Sequence, residues 1–171
     1  MKGYLQGSFV VCPKTPESLK YASKLVGEIV ENKVVLNLYE ALYLVEKRVL
    51  EVLSGSKSLR KDEIIEIGRK IDERFLEKYC VYKDLKSRGY IVGAGLKFGA
   101  DFRVYEKGAK IKDRNVHSKW IVWVFRQGDK IDLEFLASVV RVAHSTRKKV
   151  LLAVVDVEGD VTYYEIDWRR L

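Results

Sequence analysis

Apolar positions recur along the chain with two periods, and the change from one to the other marks the expected elements. Tyr4 to Val11 reads as a strand. Thr15-Pro16-Glu17-Ser18 reads as a helix start, with Thr15 as N-cap and Pro16 at the first helical position. Leu19, Ala22, Leu25, Val26 and Ile29 follow at helical spacing. Val34 to Leu38 reads as a short strand, and Tyr39 to Arg48 as a helix with Ala41, Leu42 and Val45 on its inner face. Ser54-Gly55-Ser56 reads as a turn or loop. One long helix is expected over residues 61–85, with Ile64, Ile67, Ile71, Phe75, Tyr79 and Tyr82 as its stripe and Arg88-Gly89 as its stop. A domain boundary near Tyr82 gives a mixed α/β domain over 1–82 and a second domain over 83–171.

The second half changes character. Residues 90–92 and 100–106 read as strands separated by the Gly-rich stretch Gly93 to Gly99. Residues 117–125 alternate, with Trp120, Val122 and Val124 on one face and Ile121, Trp123 and Phe125 on the other. Both faces are apolar, so this strand belongs in the middle of a covered sheet. Residues 132–147 read as a helix whose core face is Leu136, Val139, Val140 and Ala143. Residues 149–155 and 161–166 read as strands joined by the turn Glu158-Gly159-Asp160. The expected fold class is α+β (α/β), in two small lobes, the second a central mixed sheet flanked by helices.

Composition narrows the function classes. The 171 residues are 47% apolar and 33% charged, which excludes a disordered chain. No apolar run reaches the length of a membrane span, and the first residues lack a signal-peptide block, so a cytoplasmic protein without membrane partners is expected. Cys12 and Cys80 stand apart without metal-ligand spacing and read as two core or surface thiols, unless the compartment permits a disulfide. The high Glu, Lys and Arg share is one often met in heat-adapted proteins. The net charge is +8, and residues 83–171 hold 18 Lys/Arg against 12 Asp/Glu, compared with 14 against 12 in 1–82. A basic second half suits a polyanion such as nucleic acid.

Candidate chemistry lies in that half. The Gly-rich stretch follows no dinucleotide pattern and opens no helix, so tight turns explain it better than a nucleotide site. His117 stands at the expected strand entrance after the polar loop 106–116, where an imidazole is either polar surface or an acid or base near neutral pH. Arg141, His144 and Lys148 recur at steps of three and four, which on a continuous helix spreads the outer two over about 10 Å of one face. That face is either a solvated cationic surface at a helix C-terminus or a site, and Arg141 within an apolar run favours the site. A rival reading is a metal-dependent nuclease using Asp101 and Glu106, but their odd spacing puts them on opposite faces of a regular strand. No metal site is expected.

The run Tyr90 to Tyr105 (YIVGAGLKFGADFRVY), then His117-Ser118, then Val140 to Asp156 (VRVAHSTRKKVLLAVVD) resembles the catalytic domain of the tRNA-intron endonuclease family. Leu38 to Leu44 and Leu76 to Tyr90 resemble the family's short, single-unit members. The resemblance implies catalytic Tyr105, which ends the G-x-D-F-x-x-Y element; His117; and Lys148 of the S-x-R-K-K element, with Lys149 as the neighbouring alternative. It also implies a base clamp in which Arg141 is one jaw and Trp168 the candidate for the other, since an indole and a guanidinium hold a base by stacking and cation–π contact. The implied reaction cleaves precursor tRNA at intron boundaries within a bulge–helix–bulge. Tyr105 takes the 2′-hydroxyl proton with a cationic neighbour's help, and His117 protonates the departing 5′-oxygen. Lys148 offsets charge on the phosphorane-like transition state. The products are a 2′,3′-cyclic phosphate and a 5′-hydroxyl, and no metal or other cofactor is needed. The rival within the same complex is a non-catalytic structural subunit or RNA-binding module, which has no need of all three residues together.

Members of the family work as paired catalytic units, and this size occurs in homotetramers and in assemblies with a structural subunit. An acidic docking loop is implied between the strand at 117–125 and the next helix. Arg126-Gln127-Gly128-Asp129-Lys130 has one acid among two cations, which favours a heterotetramer whose partner supplies the acidic loop.

Overall fold

Gly7-Ser8 breaks the first apolar run into a hairpin. β1 (Lys2–Gln6) and β2 (Phe9–Pro13) pair antiparallel around it, and Gly7 takes φ +62°. Glycine reaches that angle without a Cβ clash, so the expected single strand Tyr4–Val11 is two. The computed structural model describes residues 1–113 and 115–171, in two compact units, Met1–Tyr79 and Cys80–Leu171.

In the first unit the Thr15 signal is obeyed. α1 (Pro16–Ala22) starts with a reciprocal cap, Thr15 accepting from the Ser18 amide and Ser18 Oγ from the Thr15 amide. The helix stops at Ala22 rather than running to Ile29, because Leu25 and Gly27 take φ of 58° and 88°. Ile29 passes into β3 (Glu28–Val30). β4 (Lys33–Asn37) leads into α2 (Leu38–Glu46), capped reciprocally by Asn37 and Glu40. Two short strands follow, β5 (Glu51–Ser54) and β6 (Lys57–Ser58), and the turn read at Ser54–Ser56 is the hairpin between them. The sheet order is β3-β4-β2-β1-β5-β6, antiparallel except for β1 beside β5. Cys12 lies in its core as a free thiol, and burial pushes it up to about 11.

The expected long helix is two, α3 (Lys61–Ile71) and α4 (Phe75–Ser87). Asp72 leaves helical geometry at φ −138°, ψ 115°, and its carboxylate accepts from the Arg74 amide and pairs with Lys78. A side chain competing for backbone amides in this way ends a helix that apolar spacing alone would continue.

The second unit holds β7 (Ile91–Ala94), β8 (Phe102–Tyr105), β9 (Trp120–Arg126), α5 (Leu133–Ser145), β10 (Lys149–Val155) and β11 (Val161–Ile166). The sheet order is β11-β10-β9-β8-β7, with β9 and β10 parallel and the other pairs antiparallel. β9 is central, and Ile121 to Val124 are buried on both faces, as the doubled apolar pattern requires. Val139, Val140 and Ala143 of α5 cover one face at Ile121, Trp123, Val150 and Leu152. On the other face Tyr82 packs 6.0 Å from Phe102, ring to ring, and the Tyr163 hydroxyl donates to Asp84. Two mixed sheets with helices on them make the α+β class observed. Among the described residues no helix is long and apolar enough to cross a membrane.

Candidate active site

The period of two along β8 builds one wall. Arg103 and Tyr105 share the face that α5 covers, since Arg103 is in register with Ile121 of that face's core. Tyr105 is 8% exposed, and among the described residues nothing hydrogen-bonds its hydroxyl. The Arg103 guanidinium lies 5.9 Å from the Tyr105 ring centre. Tyr163, on the opposite face, differs: burial and the Asp84 carboxylate hold its hydroxyl protonated far above the ordinary range.

The Gly-rich stretch is a turn that carries a wall of the site. Its 3₁₀ turn Leu96–Phe98 presents Lys97 and Phe98. Gly95 is required there: a Cβ would meet the Phe102 amide nitrogen at 2.7 Å and the Ala100 carbonyl at 2.8 Å.

Lys148 departs from the expected helix face. α5 ends at Ser145, and Arg147 takes φ +56°. The Arg147 amide donates to the His144 carbonyl and the Lys148 amide to the Ala143 carbonyl, a left-handed C-terminal cap of the kind glycine usually serves. Lys148 is therefore thrown off the helix into the entry of β10, away from the row of Arg141 and His144. Its Nζ donates to the Ser118 carbonyl at 2.8 Å and lies 5.3 Å from the Phe98 ring centre. Burial first, then the charges of Arg103 and Lys97, hold its ammonium below the ordinary lysine range.

His117 does not open β9, which begins at Trp120. It sits exposed on the preceding loop, next to the buried Ser118 whose carbonyl holds Lys148. Arg114 of the expected polar loop 106–116 lies outside the described residues. Arg103 thus lies by the Tyr105 ring, its charge acts on Lys148, and Lys148 holds the Ser118 carbonyl beside His117.

The other named residues are placed more loosely. Arg141 is exposed on α5 and makes no hydrogen bond or ion pair among the described residues. Trp168, 44% exposed, packs its ring 4.6 Å from His144, one helical turn beyond Arg141. Asp101 accepts from the Val124 amide, and Glu106 pairs with Lys119, so the two acids are engaged separately. Among the described residues no group of three His, Cys, Asp or Glu side chains is placed to hold a metal.

Sequence reading passed over Arg103, Lys97 and Phe98 as neighbours of the site. For Arg103 the signal was present: a cation two residues before Tyr105 on a strand shares its face.

The family model of the tRNA intron endonuclease N-terminal domain matches residues 1–65, and that of the tRNA intron endonuclease catalytic C-terminal domain matches residues 75–163. A protein of Thermococcus gammatolerans named tRNA-splicing endonuclease is 45% identical over 150 residues, covering 88% of this chain and 86% of that protein. One of the same name from Pyrococcus furiosus is 46% identical over 144 residues, 84% of this chain and 81% of that protein. One from Methanococcus vannielii is 44% identical over 149 residues, 86% and 82%. With both of its units matched and the relatives aligned over most of its length, the chain belongs to the tRNA intron endonuclease family.

Proposed function

We propose that this chain is a catalytic subunit of a tRNA-splicing endonuclease. It cuts precursor tRNA at intron boundaries presented as a bulge–helix–bulge, leaving 2′,3′-cyclic phosphate and 5′-hydroxyl ends. The observation that carries the reading is Lys148, whose ammonium is held to the Ser118 carbonyl beside His117, on the sheet face that Tyr105 shares. Tyr105 takes the 2′-hydroxyl proton, the oxygen attacks the adjacent phosphorus, and His117 returns a proton to the departing 5′-oxygen. Lys148 offsets the charge that builds on phosphorus-bound oxygens. Proton transfers and charge compensation all come from side chains, so cleavage of a bulge–helix–bulge RNA is expected to continue in EDTA. Loss of activity with chelator and its return with Mg²⁺ or Mn²⁺ would sink this mechanism in favour of an acidic-pair metal nuclease.

Arg141 and Trp168 serve in this reading as the clamp for a bulged base. Arg141→Ala is expected to weaken cleavage by about the 1–3 kcal/mol of a lost base stack, with the thermal midpoint unchanged. An exposed guanidinium without a hydrogen bond or ion pair among the described residues predicts that separation of effects. An unfolded variant whose residual folded fraction cleaves fully would make Arg141 structural instead.

Assembly follows the loop after β9. Asp129 is the one acid of Arg126–Lys130, and that carboxylate accepts from the Arg126 amide of its own turn. A loop so poor in free negative charge favours a heterotetramer whose partner subunit brings the acidic loop. Light scattering is expected to show the isolated chain as a dimer with little activity; a stable, active tetramer of this chain alone overturns that expectation.

A further inference from the structure

Arg103 is a half-buried cation that forms no ion pair among the described residues. Its Nε is buried and hydrogen-bonds nothing there. Arg103 and Lys97 both act as like charges on Lys148. An unpaired desolvated charge is costly, and like charges add to that cost. Three like charges that form no ion pair among the described residues are relieved by a bound anion, and a phosphate suits the planar guanidinium, which offers parallel donors where an ammonium offers a point charge. The position is selective as well: Arg103 lies 5.9 Å from the ring centre of Tyr105, the proposed base for the 2′-hydroxyl, and its charge acts on Lys148, the proposed partner of the phosphate.

We infer that Arg103 binds the non-bridging oxygens of the scissile phosphate through its guanidinium fork, as a second cation beside Lys148. The inference rests on the proposed cleavage reaction for the identity of that phosphate. In this role Arg103 touches substrate at the reacting group, while Tyr105 and His117 keep the proton transfers.

A binding experiment with the whole chain, assembled with its partner where one is required, decides the matter without relying on turnover. The probe is a bulge–helix–bulge RNA with a 2′-deoxy residue at the cleavage site, made either with the normal phosphodiester or with an uncharged methylphosphonate at the scissile linkage. Neutralising that linkage is expected to weaken binding to the wild-type chain about 10–100-fold, the range of hydrogen bonds to charged groups. In Arg103→Gln the same replacement should cost at least fivefold less, about, since Lys148 alone still meets the charge. An unchanged penalty overturns the assignment, as does a reduced penalty that appears only when the methylphosphonate is moved to the next linkage. Should Arg103→Gln fail to fold, Arg103→Lys takes its place: it keeps the charge and loses the fork. A several-fold smaller penalty in it supports the contact, and a wild-type penalty overturns it. The all-ribose RNA is assayed alongside. Failure of the wild-type chain to cut it removes the proposed function, whereas the binding coupling still reports on Arg103.

Discussion

His117→Ala is expected to slow cleavage about 10²–10⁴-fold while leaving substrate binding intact, the loss typical of a missing general acid. The imidazole is exposed on the loop before β9, next to Ser118, so its removal leaves no hole in the core. Its role can be separated from mere placement by changing the leaving group. A substrate with sulfur in place of the 5′-oxygen expels a thiolate that needs no proton, and on it the His117→Ala defect should largely vanish. His144 is the internal control. It lies on α5 with its ring against Trp168, so His144→Ala should cost much less on the normal substrate and show no sulfur rescue. Equal slowness of His117→Ala on both substrates, or rescue of His144→Ala in its place, would move the general acid elsewhere.

Elements whose ends carry a cap or a turn were legible in the sequence. Thr15 starts a helix where its side chain accepts from the amide three residues on, and β10 and β11 occupy 149–155 and 161–166 as read. β9 was identified as central because only a covered strand tolerates apolar residues on both faces. The misreadings share a cause: apolar periodicity continues through a point where the backbone turns. Leu25, Gly7 and Arg147 take positive φ, and Asp72 turns extended while its carboxylate captures the Arg74 amide. Glycine at one of these positions hints at the turn, but leucine and arginine give no such warning: local backbone hydrogen bonds that close the preceding helix hold them at an angle their side chains disfavour.

The site was legible to the extent that it is written in motifs. Tyr105 of β8 and Lys148 at the entry of β10 were named from motifs, and His117 lies one residue from the carbonyl that Lys148 grips. Spacing alone had put Lys148 in a row with Arg141 and His144; the left-handed Arg147 removes it from that row and delivers it to the sheet entrance. What no linear pattern disclosed is a backbone partner. The Ser118 carbonyl has no side-chain signature, yet it ties the lysine and the histidine into one unit.

That tie gives Lys148→Met two consequences. The variant loses the cation that meets charge on the transition state, and it strips the carbonyl of buried Ser118 of its donor, so the loop carrying His117 loses its anchor. A loss of about 10²–10³-fold in single-turnover cleavage is expected, comparable to removing one preorganised donor from an oxyanion site. Because part of that loss passes through His117, the double variant with His117→Ala should be less impaired than the product of the two single losses. The pH profile adds an independent reading. Burial, Arg103 and Lys97 together hold the ammonium of Lys148 below the ordinary lysine range, so its charge, and the rate with it, should fall away at a lower pH than a free lysine would dictate. Stability runs the other way. With the folded value below the unfolded one, the unfolded chain binds more protons between the two, so wild type should gain stability relative to Lys148→Met as pH rises through that window. Single losses that multiply cleanly, with a relative stability flat across that range, would show Lys148 to be a solvated surface cation with no part in holding the histidine loop.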